Sequence, residues 1–324
     1  MPTPSDKGRG TRDEGRGGDW TARTNSPRRS VFGNYRDKNT PAFPVEAELE
    51  GEGEGERAVE SLQTAIDIAV ARSFLYRLIA KAFEDPTPEG WATLTATECP
   101  QSFPAAIAAL SGAFPALADA ARGFVAALRE EAFEEFHAAY LSAFGHAARG
   151  SCPLNEIEYG DIKADGLFQP HRLADLAAFY HAFGLELASE AAERHDHLCI
   201  ELEFMSVLAG KEAYALEHQL DADELALGRS AQKKFLHEHL GRWAPAFSRR
   251  LAIQAANTPL AAAAALLRAF LESECARLEV APGSEDLLLR PVEEASESLC
   301  ASCGRAQPWP GTLVEAAGVD DAEG

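Results

Sequence analysis

Between Ser61 and Phe83, apolar residues recur with the period of an α-helix: Leu62, Ile66, Ala69, Val70, Phe74, Leu78, Ile79 and Ala82. That spacing gathers them on one helical face, whereas a half-buried strand would need strict alternation. Asp85-Pro86 and Pro88 end the segment. Ala and Leu dominate the chain beyond it and long β-branched runs are missing, so helix is the expectation for the whole ordered part. No repeat of fixed period marks a helical solenoid.

Further helices are expected from the same signals. A short one surrounds Trp91, Pro104 is placed to open the next through Phe114, and Pro115 another through Phe124 and Leu128. Glu130 to Phe144 is amphipathic, with Phe133, Phe136, Tyr140, Leu141 and Phe144 against Glu131, Glu134 and Glu135, and Gly145 is placed to cap it. The stretch Gly150 to Tyr159-Gly160 holds too many breakers for a helix interior and reads as a loop or hinge, at about 146–170. Helices resume over Leu173–Phe183, closed by Gly184, and then over His195–Gln219, Ala222–Leu240, Trp243–Ala255 and Pro259–Leu278. The expected organisation is a polar, disordered N-terminal tail over 1–57, an all-helical domain over 58–280, and an irregular acidic C-terminal tail over 281–324.

The net charge of −21 argues against nucleic acid or an anionic membrane as the main partner and suits a basic ligand. No stretch approaches the roughly 18 apolar residues of a membrane span. The six cysteines are scattered, and a chain with 46% hydrophobic residues needs no disulfide framework, so a reducing, cytoplasmic setting is expected. Ser26-Pro27-Arg28-Arg29-Ser30-Val31-Phe32 has the look of a twin-arginine export signal, but the hydrophobic stretch that must come after it is missing from Gly33 to Pro44. Cys300-Ala301-Ser302-Cys303 supplies at most half a zinc site, so Cys300 and Cys303 are expected to be free thiols. His237-x-His239 is expected on a solvated helix face.

The densest group of functional side chains is His195-Asp196-His197-Leu198-Cys199-Ile200-Glu201-Leu202-Glu203-Phe204-Met205, with Glu193 and Arg194 just ahead. Histidines two apart on a regular helix point about 200° from one another and cannot share an ion. His197 and Glu201, four apart, can, which leaves a metal-dependent enzyme using that pair as the alternative reading. Acid/base catalysis lacks a nucleophile motif, a phosphate-cradling loop and an oxyanion site. In the plainest reading Asp196 stands near a helix N-terminus, Glu201 and Glu203 are exposed, and Leu198, Leu202, Met205 and Leu208 are core. That reading leaves unexplained why acids and apolar residues alternate on nearly every face.

Glu193-x-x-Asp196-His197-x-x-x-Glu201-Leu202-x-Phe204-Met205 resembles the signature of the TorD/DmsD/NarJ family, chaperones for molybdenum-containing respiratory enzymes. A second family element, Cys-Pro-x-x-Glu-x-x-Tyr, is matched by Cys152-Pro153-Leu154-Asn155-Glu156-Ile157-Glu158-Tyr159, and a looser third by Tyr140-x-x-x-Phe144-Gly145. The resemblance covers about residues 60 to 280. It implies a compact all-α fold of two helical parts joined by a hinge, monomeric or domain-swapped, whose activity is binding and not turnover. The implied partner is the catalytic subunit of a molybdopterin-containing oxidoreductase, held through its twin-arginine signal peptide or as the apo form until cofactor insertion. Client-binding residues would be Glu193, Asp196, His197, Glu201, Phe204, Met205, Cys152, Pro153, Glu156 and Tyr159. The acids would pair with arginine, and Phe204, Met205, Leu198 and Tyr159 would form an apolar groove. The family is also linked to guanine nucleotides and to the molybdopterin guanine dinucleotide cofactor. Without a Walker loop, no tightly bound nucleotide or other cofactor is expected here.

Overall fold

The computed structural model describes residues 52–95, 98–129, 132–145, 150–160, 168–188 and 193–290. The twin-arginine-like stretch, most of the expected N-terminal tail, and Cys300 and Cys303 lie outside them. Within them the fold is all-α, with ten α-helices and, among the described residues, no strand. The helices are α1 (Glu52–Phe83), α2 (Pro88–Thr95), α3 (Glu98–Leu110), α4 (Pro115–Ala127), α5 (Phe133–Phe144), α6 (Phe168–Ala182), α7 (Leu198–Glu217), α8 (Ala222–Glu238), α9 (Leu240–Gln254) and α10 (Pro259–Arg277).

Prolines and glycines punctuate the chain largely as their chemistry demands. Pro115 and Pro259 stand in the first turns of α4 and α10, where a missing N–H costs nothing. Gly145 is the C-cap of α5, and Gly184, at φ +72°, comes after α6 in a backbone region that side chains avoid. Four boundaries differ from expectation. Residues 52–57, expected in the tail, form the first turns of α1. Pro104 lies inside α3, since a proline removes one hydrogen bond and a helix supported by packing continues through it. Helix α6 starts at Phe168, inside the expected hinge. His195, Asp196 and His197 precede α7, so the angular separation expected of the two histidines on a helix does not arise.

The α1 helix lies along α7, α10 packs on α9 and α4, α3 packs on α1, and α8 packs on α7 and α9. The segments before and after the loop at 150–160 therefore share one contiguous core, to which all ten helices contribute. Its aromatic contacts join distant parts of the chain, as in Tyr76–Phe270 (4.7 Å), Phe83–Phe247 (5.6 Å) and Phe204–Phe235 (4.7 Å). The expected hinge loop is part of this body, with Cys152, Pro153, Glu156, Ile157 and Tyr159 buried. Fifteen of the 20 residues of α7 are buried, which makes it the central helix and accounts for apolar residues on all its faces.

One buried ionic network joins four helices. Arg72 of α1, 2% exposed, donates from Nε to both carboxylate oxygens of Glu274 (2.9 Å each) on α10. It also donates from Nη1 to Glu212 (2.7 Å) on α7 and from Nη2 to Gln232 on α8. Tyr76 donates to Glu274 as well (2.9 Å). After α10 the chain returns across the start of α9. Gly283 N–H donates to the Gly241 carbonyl (2.8 Å), and a Cβ at position 283 would lie 1.9 Å from the Arg242 carbonyl oxygen, so only glycine fits. The next, extended segment pairs with the buried loop through Gly160 N–H to Leu288 O (3.0 Å) and Arg290 N–H to Glu158 O (2.9 Å).

Candidate functional site

The loop before α6 and the turn before α7 meet as a short antiparallel pair. Glu156 N–H donates to the Asp196 carbonyl and Leu198 N–H to the Leu154 carbonyl (both 2.9 Å), with Asn155 opposite His197. The Asp196 side chain, fully buried, locks this junction. Its Oδ1 accepts from Asn155 Nδ2 (3.2 Å) and Arg194 Nε (3.0 Å), and its Oδ2 from the Ile157 amide (3.2 Å) and Arg194 Nη2 (3.1 Å). The bidentate arginine that Asp196 was expected to take from a client is thus supplied by Arg194 of the same chain. The N-cap of α7 is His197 and not Asp196: its Nδ1 accepts from the Cys199 amide (3.3 Å). Burial lowers the His197 pKa, against the fields of Glu193 and Asp196, which favours the neutral imidazole, and the Cys199 amide selects the tautomer whose Nδ1 accepts.

Glu156, also fully buried, gathers an imidazole and two guanidinium groups from three elements. Its Oε2 lies 3.0 Å from His239 Nδ1, and its Oε1 takes Arg242 Nη2 at 3.0 Å, with Arg172 Nε at 3.7 Å. Burial pushes this carboxyl up, but the hydrogen bond with His239 and the charges of Arg172 and Arg242 outweigh it and hold the group below the usual carboxylate range. Glu201, one turn into α7 and fully buried, goes the other way. Burial, and then the fields of Glu156 and Asp196, push it well above that range. Its single hydrogen bond comes from Trp243 Nε1 to Oε2 (3.1 Å), and Oε1 has no partner. The two glutamates therefore divide the work: Glu156 is the buried anion and Glu201 a buried neutral acid.

A Glu201→Gln chain should accordingly fold with stability within about 1 kcal/mol of the parent at acidic pH, since a neutral amide replaces a neutral acid of the same shape. Above about pH 4.5 the unfolded Glu201 ionises while the folded one stays protonated, so the parent loses stability as pH rises towards the folded pKa. Urea denaturation should show the advantage of glutamine growing from about pH 5 to about pH 8. A constant difference across that range contradicts a neutral Glu201.

The apolar members of the expected site face inward. Phe204 packs between Phe235 (4.7 Å) and Tyr180 (4.9 Å), and Leu198, Met205 and Tyr159 are fully buried. The ring of Tyr159 lies 5.1 Å from Trp243, and its hydroxyl donates to Pro153 O (2.9 Å). Cys152 is buried against Phe247 O, and burial pushes its thiol up to about 12, so it is no nucleophile. The apolar groove expected from Leu198, Phe204, Met205 and Tyr159 is therefore core, because α7 is enclosed all round. Glu201 and Glu203, exposed in the plainest reading, are buried too. Among the described residues neither His197 nor Glu201 belongs to a group of three metal-ligating side chains, and Cys300 and Cys303, the further donors available to the metal-dependent alternative, lie outside those residues.

What opens to the surface at this junction is a cleft of about 350 Å³ between α6, the residues after it, and His195. Leu185, Leu187 and Ala177 give it apolar walls, Glu186 an exposed acid, and Tyr180 its floor. Tyr180 donates to the His195 carbonyl (2.7 Å) and stacks on the His195 ring. Of the residues expected from sequence, the junction brings together Asp196, His197, Glu156, Glu201, Tyr159, Cys152 and Pro153, with Glu193 half-buried beside His197. Arg172, His239, Arg242 and Trp243 complete it and carry no local motif. His239, expected on a solvated face, is fully buried.

The family model described as "Nitrate reductase delta subunit" matches residues 106–249, which spans the loop, the turn and the cleft. The perchlorate reductase assembly chaperone protein of Dechloromonas aromatica is 30% identical over 193 residues, 57% of this chain and 80% of the relative. The selenate reductase assembly chaperone protein of Thauera selenatis is 35% identical over 121 residues, 36% of this chain and 58% of the relative. The chaperone protein TorD of Vibrio cholerae is 31% identical over 147 residues, 45% of this chain and 63% of the relative. The chain thus spans less than two thirds of the last two. No solved structure matches it significantly.

Proposed function

Because the chain belongs to the TorD/NarJ family of nitrate reductase delta subunits and assembly chaperones, we propose that it is itself an assembly chaperone for a molybdenum-containing oxidoreductase. On this reading it holds the apo catalytic subunit in the cytoplasm, through the twin-arginine signal peptide, until cofactor insertion is complete. Its work is binding and not turnover. The observation that carries the reading is that both signature stretches converge on one junction and spend their polar groups on building it. The recognition surface is then the cleft that this junction shapes. A signal peptide offers two arginines and an apolar segment. Glu186 can take the first, and Leu185 and Leu187 line a seat for the second. The net charge of −21 speeds encounter with a basic peptide.

Among the described residues no helix is long and apolar enough to cross a membrane. The expected result of co-expression with a signal-bearing molybdoenzyme catalytic subunit is a complex with the cofactor-free subunit that survives gel filtration, and a molybdenum content of the enzyme that falls when the chaperone is omitted. Equal molybdenum loading with and without the chaperone, and no complex, contradict the proposal.

A further inference from the structure

His239 stands where α8 gives way to α9, with its side chain fully enclosed. Its two ring nitrogens have different roles. Nδ1 is held by Glu156 Oε2 at 3.0 Å. Nε2 has no hydrogen-bond partner, although it is buried, and it lies 3.3 Å from Asp175 Oδ2 of α6, within reach but out of line for a hydrogen bond. The neighbouring Glu238 brings a second carboxylate, and one donor atom from each of Asp175, Glu238 and His239 lies within 4.8 Å of the others.

We propose that Asp175, Glu238 and His239 bind one divalent transition-metal ion. A neutral histidine that donates a hydrogen bond from its Nδ1–H to a carboxylate presents a lone pair at Nε2 in fixed orientation, the arrangement that metal-binding histidines adopt. Here Glu156 is that carboxylate. One imidazole and two carboxylates suit zinc, manganese or ferrous iron, whereas an all-oxygen set would suit calcium or magnesium and a thiolate set would suit cuprous copper. The two carboxylates offset the charge of the ion. Asp175 is exposed and Glu238 partly so, which leaves a path from solvent. The nearby cations do not close the site. Arg172 and Arg242 meet Glu156 at Oε1, the oxygen away from His239. Lys234 reaches Glu238 only at 3.8 Å and is itself half exposed, so an ion displaces it at little cost. Bound metal would clamp α6 to the α8–α9 junction and, through Glu156, to the loop that pairs with Asp196.

The test is calorimetric titration of Zn²⁺ into the full chain, purified in chelator. Cys300→Ser and Cys303→Ser are present throughout, so that tail thiolates do not compete. One equivalent of Zn²⁺ should bind, and the thermal midpoint should rise with it. In the same chain carrying Asp175→Asn and Glu238→Gln, both outside the core, affinity should fall at least about 100-fold and the midpoint should no longer respond, with helical circular dichroism unchanged. Weak binding that is equal in both chains is attraction to a generally acidic surface and overturns the proposal. So does no binding by the parent.

Discussion

An Asp196→Ala chain is expected to lose about 3 kcal/mol of stability, because the change strands a buried amide and cuts charge-assisted hydrogen bonds that join two loops. Asp196 takes four hydrogen bonds, from Asn155, the Ile157 amide and both arms of Arg194. Asparagine keeps an acceptor for the Ile157 amide but turns an N–H donor towards Arg194, so Asp196→Asn should fall between alanine and the parent. Equilibrium urea unfolding read by circular dichroism gives both values. The loss should be accompanied by faster hydrogen exchange at Glu156, Ile157 and Leu198, whose amides pair across this junction. An Asp196→Ala chain with parental stability and parental exchange would mean that the carboxylate is available for a client after all.

Arg72→Met should cost more, about 3–5 kcal/mol, since it removes the shared cation of a buried network and leaves Glu212 no cation but the half-exposed Arg229 (2.7 Å) and Glu274 none but Arg277 at 3.6 Å. Glu274 is fully buried and Glu212 is 8% exposed, so water replaces little of what Arg72 supplies. Burial works against a charged Arg72, yet the fields of Glu274, Tyr76 and Glu212 raise its pKa above the ordinary value, so it stays charged throughout. The loss should be strongly non-additive. In a chain carrying Arg72→Met with Glu274→Gln and Glu212→Gln, much of the lost stability should return, because the buried charges that Arg72 leaves under-compensated go with it while Arg229 and Arg277, both reached by solvent, turn to water. Denaturant midpoints of the single and triple variants measure this directly. A triple variant no better than the single one would show that the network acts through shape and not through charge.

Much of the architecture is legible in the sequence, for reasons that differ between elements. The spacing of Leu62, Ile66, Val70 and Phe74 specifies a helix without knowledge of what it packs on, and Pro115 and Pro259 mark helix starts because proline chemistry is local. Pro104 misleads for the converse reason. Whether a helix runs on through a proline is decided by packing around it, which no local pattern carries. The convergence of the two signature stretches was foreseeable only as a resemblance. What each side chain does there was not foreseeable, because its partners are remote in sequence: Glu156 meets His239 and Arg242, and Glu201 meets Trp243. Phe204 and Met205 look like groove residues beside acids in a one-dimensional string. They are core because α7 is surrounded by other helices, a fact of tertiary arrangement. The cleft has no motif at all, and only His195 links it to the signature.

The central claim is that the signature acids build the junction while the adjoining cleft binds the client. Titrating a twin-arginine signal peptide from a molybdoenzyme catalytic subunit into the protein, by calorimetry at low ionic strength, tests it most directly. A chain with Glu186→Arg reverses the exposed acid of the cleft without touching Asp196 or Glu156 and without disturbing Leu187, which packs on the core. Its affinity for the peptide is predicted to fall about tenfold or more while its helical signal and urea midpoint stay close to those of the parent. Unchanged affinity in this chain would contradict the claim.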